Sequence, residues 1–306
     1  MKKKSLKNSR FNLENAINIY ASSFYLLPAE DLYDKKKLDT YKEIIDKCHI
    51  YIIGFIPVLE IIEANQIHEN VVLRIKVDKS IHELTIPIPN GYHFVKNTES
   101  CFFCKDQNGS KHWYSDNTIA NMICKESDII KFHVKYIGQA YGKNGSRNAI
   151  DRLLNHEKLQ KISLKGIPEG QTLSLLLLEI QPKNRIYTIM YKPHAQSNQN
   201  NNQQIQNGLD KLYGTDDKER ISLYEASLIH YFSPSYNKEF KNSFPSTNLK
   251  ILQDCYDKDF SAVIAEICFD DLPFLLCSDN VPPKLYHSVK YNLHEDDDRK
   301  SFFYNQ

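Results

Sequence analysis

Five residues, Tyr136, Arg152, His156, Glu225 and Asn237, have the types and the order that hydrolysis of a phosphodiester needs. A phenol can take a proton from water. A guanidinium can grip two phosphate oxygens and stays charged at any working pH. An imidazole can partner the phenol, a carboxylate can hold a divalent cation, and a carboxamide can orient its neighbours. Arg152 and His156 are four residues apart, so on a helix running from Asn148 to Leu159 they project from one face, beside a stripe of Ile150, Leu153 and Leu154 that should pack on a sheet. Glu225 shares its side of a second helix with Ile221, Leu228 and Ile229. A carboxylate facing the protein must neutralise, pair with a cation or hold a metal. Taken singly, each residue also has an ordinary reading. Tyr136 can be a core aromatic on a strand, Arg152 and His156 surface side chains, and Glu225 the partner of a neighbouring Lys or Arg.

The elements that must position these groups are read from periodicity. Strands are predicted at 129–139 and 173–180, the second a continuous apolar run of the kind buried on both faces, with the Arg152 helix between them. The Glu225 helix spans about 216–232, and Pro234-Ser235-Tyr236-Asn237 turns the chain after it. Upstream, 12–26 and 36–64 read as helices, the latter broken near Gly54 and Pro57. Val71–Val77 and Ile81–Ile86 alternate as a β-hairpin, and Asn108-Gly109 marks a second one. The tail from 261 to 278 looks β, and Glu295–Asp298 is an acidic run. The expected fold is α+β: a small mixed or antiparallel sheet flanked by helices. Four regions follow, namely a helical N-terminal region (1–69), a β-hairpin-rich region (70–127), a central domain (128–250) and a β-rich C-terminal region (251–306). The polar low-complexity tract 196–207 is expected to be a mobile insertion.

Charge sharpens the functional reading. The net charge of 306 residues is +1, so any polyanion surface must be local. Between 131 and 165 eight bases (Lys131, Lys135, Lys143, Arg147, Arg152, Lys158, Lys161, Lys165) face only Asp151 and Glu157. That patch coincides with the candidate site and fits nucleic acid. Seven cysteines, odd in number and scattered through apolar runs, suggest a reducing, cytoplasmic setting. Lys2, Lys3, Lys4, Lys7 and Arg10 are not followed by an apolar cleavage signal, so no secretory leader is expected. Cys48 to Ala64 carries His49, Pro57, Glu60 and Glu63, too interrupted for a bilayer span, so no membrane partner is expected either.

With these residues in this order, the stretch from 128 to 240 resembles the GIY-YIG nuclease superfamily. Tyr136-Ile137-Gly138 resembles the second motif of the family name, Arg152 and His156 the helix pair, Glu225 the single metal ligand, and Asn237 the residue that follows it. No Gly-Ile-Tyr precedes Tyr136 at hairpin distance, and the nearest upstream candidates for its tyrosine, Tyr114 and Tyr92, lie too far away. The resemblance implies a metal-dependent endonuclease using Mg²⁺ or Mn²⁺ on Glu225, with DNA favoured over RNA. In the implied mechanism Tyr136, its pKa lowered by Arg152 or by a metal-bound environment, takes the proton of an attacking water. Arg152 steadies the phosphorane, His156 bonds or relays to the tyrosine, and Asn237 fixes the geometry. Lys143 and Arg147, in a Gly-rich loop, together with Lys158 and Lys161, are expected to touch the substrate. Restriction or phage defence is consistent with large private extensions. The alternative is a non-catalytic nucleic-acid-binding or scaffold protein on a degenerate fold of this type. Cys101 and Cys104, with His112 and Cys124, are weighed as a zinc set against the reading of small hydrophobes in a hairpin.

Overall fold

The computed structural model describes residues 13–98, 102–114, 116–126, 128–142, 147–190, 201–245 and 249–294. The first elements are β1 (Leu13–Pro28), α1 (Lys35–Thr40), α2 (Lys42–Ile45), β2 (Cys48–Pro57), β3 (Leu59–Ile67), β4 (Asn70–Val77), β5 (Ser80–Pro87), β6 (Tyr92–Lys96), β7 (Phe102–Asp106), β8 (Lys111–His112) and α3 (Asp116–Glu126). They are followed by β9 (Lys131–Gln139), α4 (Ala149–Leu153), α5 (Glu157–Leu164), β10 (Gln171–Ile180), β11 (Arg185–Met190), α6 (Asn201–Gly214), α7 (Asp217–Phe232), α8 (Lys250–Asp257), β12 (Ala262–Cys268), β13 (Leu275–Cys277) and β14 (Tyr286–Asn292).

Eight strands make one mixed sheet in the order β13-β9-β2-β10-β1-β12-β14, with β11 paired to the first part of β1. Strand β2 lies antiparallel to both β9 and β10. Residues 58–130, which intervene between β2 and β9, contain two separate three-stranded antiparallel sheets, β3-β4-β5 and β6-β7-β8. Both hairpins expected from sequence are present there, and Gly109 takes the positive φ of +88° that its turn demands. The class is α+β, as the alternating patterns imply.

The N-terminal third departs from expectation. Residues 13–28 form a strand, because Asn15, Asn18, Ser22 and Ser23 disfavour a helix and the first seven positions are buried whichever way they point. Residues 48–67 form β2 and β3. Ile50, Ile52, Ile53 and Phe55 are β-branched or aromatic and are buried on alternate faces, so the greasy run is a central strand. Gly54 marks a close approach, since a Cβ there would lie 2.2 Å from the Phe132 ring. The sheet is therefore much larger than the compact one anticipated, and it takes in segments from both ends of the chain. Of the polar tract, 201–207 form the first half of α6, with Gln204 and Asn207 buried; the preceding residues from 196 lie outside the described residues. Asn15 explains the docking, because its Nδ2 donates to the Gln204 carbonyl at 2.7 Å and Gly208 packs against its amide. Glu295–Asp298 also lie outside the described residues.

Two cores separate along the sheet. One face, carrying Ile50, Ile52, Phe132, Val134, Ile137, Leu176 and Leu178, packs under α7 and α8. The other, carrying Tyr51, Ile53, Phe55, Leu173, Leu175 and Leu177, packs under α2, α4 and α5. Among the described residues no helix is long and apolar enough to cross a membrane. Their six cysteines are free thiols, and no group of three His, Cys, Asp or Glu side chains is arranged to hold a metal. Cys104 is fully buried in the larger core, consistent with the small-hydrophobe reading, while Cys101 lies outside the described residues.

Candidate functional site

Tyr136 sits where β9 bulges. Its strand partner is Ile53, whereas Val134 pairs with Gly54, so Lys135 is extra and the alternation shifts. The bulge puts His133, opposite Phe55, on the same face as Tyr136; strict alternation would have sent it to the other side. That face belongs to α4 and α5.

The aromatic partner of Tyr136 is Tyr51, which sequence reasoning did not select. Tyr51 lies opposite Gly138, and its ring occupies the space a side chain would need: a Cβ on Gly138 would stand 2.5 Å from the phenol's Cζ and Oη. The two tyrosine rings stack at 6.2 Å. His156 completes the group, 5.3 Å from the Tyr51 ring and 5.1 Å from the Tyr136 ring.

Arg152 and His156 do not share a helix. A capping box between Asn148 and Asp151 starts α4, which ends at Leu153, and His156 becomes the N-cap of α5. The short helices suit the burial of Ile150 and Leu153 from one and Leu159 and Ile162 from the other against the sheet. Capping also fixes the imidazole. The Leu159 N–H donates to His156 Nδ1 at 3.3 Å, so the proton of the neutral ring is on Nε2, which donates to Tyr51 Oη at 2.9 Å. Burial, reinforced by Arg152, lowers the His156 pKa to about 4. The ring is a donor at neutral pH, not a base.

The phenols form a chain of polarity. The Arg152 charge favours the ionised form of both phenols, and Tyr51 in turn favours that of Tyr136. Even so, burial holds both phenols above their ordinary pKa and outweighs Arg152, with the Glu225 charge the next cause at Tyr136. The expected lowering of the Tyr136 pKa is absent, because a half-buried ring beside a carboxyl loses more from desolvation and repulsion than one exposed guanidinium returns.

Glu225, carried by α7 on the other face, acts on both phenols through its charge. Burial pushes its carboxyl up to about 8, hydrogen bonding from Gln139 opposes this, and Glu239 adds to the rise. Gln139 also bonds Ser222 one turn before Glu225, with Nε2 to Oγ at 3.3 Å. The residue as a whole is half-buried, but its carboxyl end is poorly solvated. Such a group fits a divalent cation, whose charge would restore the ionised form. Glu225 and Glu239, whose charge acts on it, would be the donors, and Mg²⁺ would need water or substrate oxygens for its remaining positions.

Asn237 acts on the strand. Its Oδ1 accepts from the Ile137 N–H at 3.0 Å and its Nδ2 donates to the Ile137 carbonyl at 2.8 Å, closing the edge beside Tyr136. It is a positioning residue. Arg147 donates to the Asp151 carbonyl at 3.3 Å, against α4. Lys158 and Lys161 line a basic hollow beside the site, whereas Lys143 lies outside the described residues. Sequence reasoning thus missed Tyr51, Gln139 and Glu239. A signal for Tyr51 existed in the β-branched run Ile50-Tyr51-Ile52-Ile53, but residues 58–130 separate it from its partner strand. The sequence matches no protein-family model and no curated protein, and the fold matches no solved structure.

Proposed function

We propose that the chain is a metal-dependent endonuclease, a divergent relative of the GIY-YIG nucleases, acting on nucleic acid with DNA favoured. One observation carries the reading: Tyr51, Tyr136 and His156 converge on β2 and β9, and the Arg152 and Glu225 charges couple to both phenols. In this reading His49-Ile50-Tyr51 supplies the first motif and its tyrosine. Its strand lies antiparallel to Tyr136-Ile137-Gly138, with residues 58–130 in place of a hairpin turn.

The roles follow from the hydrogen bonds. Arg152, an exposed residue, grips the scissile phosphate and supplies the fixed positive charge for the phosphorane. His156 holds Tyr51 by donation from Nε2, and Tyr51 directs its own proton toward Tyr136. Tyr136 would release its own proton to solvent once the Glu225 charge is compensated, and the resulting phenolate would accept the proton of the attacking water. A divalent cation bound at Glu225 would supply that compensation and stabilise the leaving oxygen. Asn237 and Gly138 keep the edge of β9 and the Tyr51 ring in register.

The test is direct. Purified protein is incubated with plasmid, single-stranded DNA and RNA in Mg²⁺ or EDTA, alongside Arg152→Ala, Glu225→Ala and Tyr51→Phe. Metal-dependent scission lost in all three variants is the expected result. Binding by the wild type without any scission returns the protein to the rival, non-catalytic class.

A further inference from the structure

Beside the tyrosines, four like charges surround one hollow. Lys158, Lys161, Lys165 and Lys238 line a cavity of about 280 Å³ with Ser235 and Tyr236. Among the described residues, Lys158 approaches a carboxylate, Glu157, at 3.8 Å, but that side chain is 86% exposed. Lys161, Lys165 and Lys238 make no ion pair among the described residues. Ammonium groups gathered without counter-charges repel one another until an anion enters. Lys165 is also seated, with its Nζ 5.2 Å from the centre of the Tyr236 ring.

Both walls of the hollow are anchored in the candidate site. One is α5, whose N-cap is His156; Lys161 and Lys165 stand further along it, roughly 7.5 and 13.5 Å away at about 1.5 Å per residue. The other is the turn after α7. The Tyr236 N–H donates to the Lys135 carbonyl at 3.1 Å, and Asn237 clamps Ile137, so the residues on either side of Tyr136 hold this wall. Hollow and site therefore share β9 and the start of α5 as supports.

A duplex strand advances about 3.4 Å per phosphate along its axis. With its reacting phosphate beside His156, such a strand presents a phosphate roughly two to four steps away at the lysines. We infer that the hollow is a subsite for a non-scissile backbone phosphate, gripped by Lys161, Lys165 and Lys238, with the Ser235 hydroxyl as a further donor. The ligand class rests on the nuclease reading, but binding at this subsite does not require cleavage.

The experiment uses the full chain carrying Glu225→Gln, so that binding is read without cutting. A labelled short duplex is titrated at several salt concentrations, with and without Lys161→Gln, Lys165→Gln and Lys238→Gln combined. The slope of log affinity against log salt should become shallower by about 1 for each phosphate that the protein no longer neutralises, with affinity weakened roughly tenfold. Lys165→Gln and Lys165→Arg, tested singly, cover the case in which the triple variant misfolds; the Arg variant should keep the slope and the Gln variant should not. An unchanged slope in folded variants overturns the subsite. Lysine-dependent binding to phosphatidylserine vesicles with none to the duplex also overturns it, assigning the patch to a membrane surface. Lysine-dependent duplex binding by a wild type that never cuts would keep the subsite and remove the nuclease reading. Cutting with a lysine-independent slope would do the reverse.

Discussion

The two faces of the central sheet are built from the same three strands and both bury an apolar core, yet one of them also sets two tyrosines beside a buried histidine. Under α7 and α8, Ile52, Phe132, Val134, Ile137 and Leu176 form an apolar layer around β9 and β2. Under α4 and α5, the same strands present Tyr51 and Tyr136 to the buried His156 at the start of α5, all with displaced pKa values. The difference teaches that strand alternation can divide labour: one face supplies stability and lets the other carry polar groups that burial makes costly. Glu225 belongs to both. It rides on the helix of the first face, and its charge bears on the tyrosines of the second.

The sharpest way to break this comparison is a pair of substitutions. Arg152→Ala should lower cleavage by roughly 10²–10³-fold while barely changing the melting temperature, because the side chain is exposed. Leu176→Ala, on the other face, should cost about 2–5 kcal/mol of stability in a denaturant melt and leave cleavage per folded molecule near wild type. If Leu176→Ala abolished cleavage in protein that is still folded, the division would fail. Gly138→Ala comes next. A methyl 2.5 Å from the Tyr51 phenol must displace that ring, so the variant should lose activity about as Tyr51→Phe does and also lose roughly 1–3 kcal/mol of stability. Activity equal to wild type would mean that the Tyr51 hydroxyl has no part in the reaction.

The pH dependence of stability sharpens the comparison further. A Glu225 carboxyl raised by burial to about 8 keeps its proton when the unfolded chain, with a pKa of about 4.3, has lost it. Its contribution is complete below the lower value and is lost as pH rises toward the upper one. Glu225→Gln should flatten that decline in a series of thermal melts, and Mg²⁺ should raise the wild-type melting temperature most near the top of the window. Parallel curves for wild type and variant would contradict the assignment. The smallest effect belongs to His156, whose depressed pKa of about 4 gives the opposite slope. Stability should fall as pH drops from about 6.5 toward about 4, and His156→Gln should remove that fall.

Much of the central architecture is legible in the sequence. Local patterns find β9, β10, α7 and both inserted hairpins, because alternation and amphipathic stripes are properties of a few consecutive residues. The long N-terminal strand reads as a helix instead, since a strand buried on both faces has no polar side to reveal its period. The break at Leu154–His156 is hidden because a spacing of four fits one helix as well as two short ones. Tyr51 escapes because its strand lies far beyond a hairpin's reach of Tyr136.

The sequence by itself determined which groups are available: a phenol, a guanidinium, an imidazole, an acid and a basic segment, together with the periodic elements that carry them. Only the tertiary structure decided which phenol meets which, on which face His133 falls, and that an acid from the opposite layer bears on the tyrosines. The physical reason is that strand register and bulges arise from pairing between distant segments. A single extra residue at Lys135, invisible to local periodicity, shifts the face of every side chain on one side of it relative to the other.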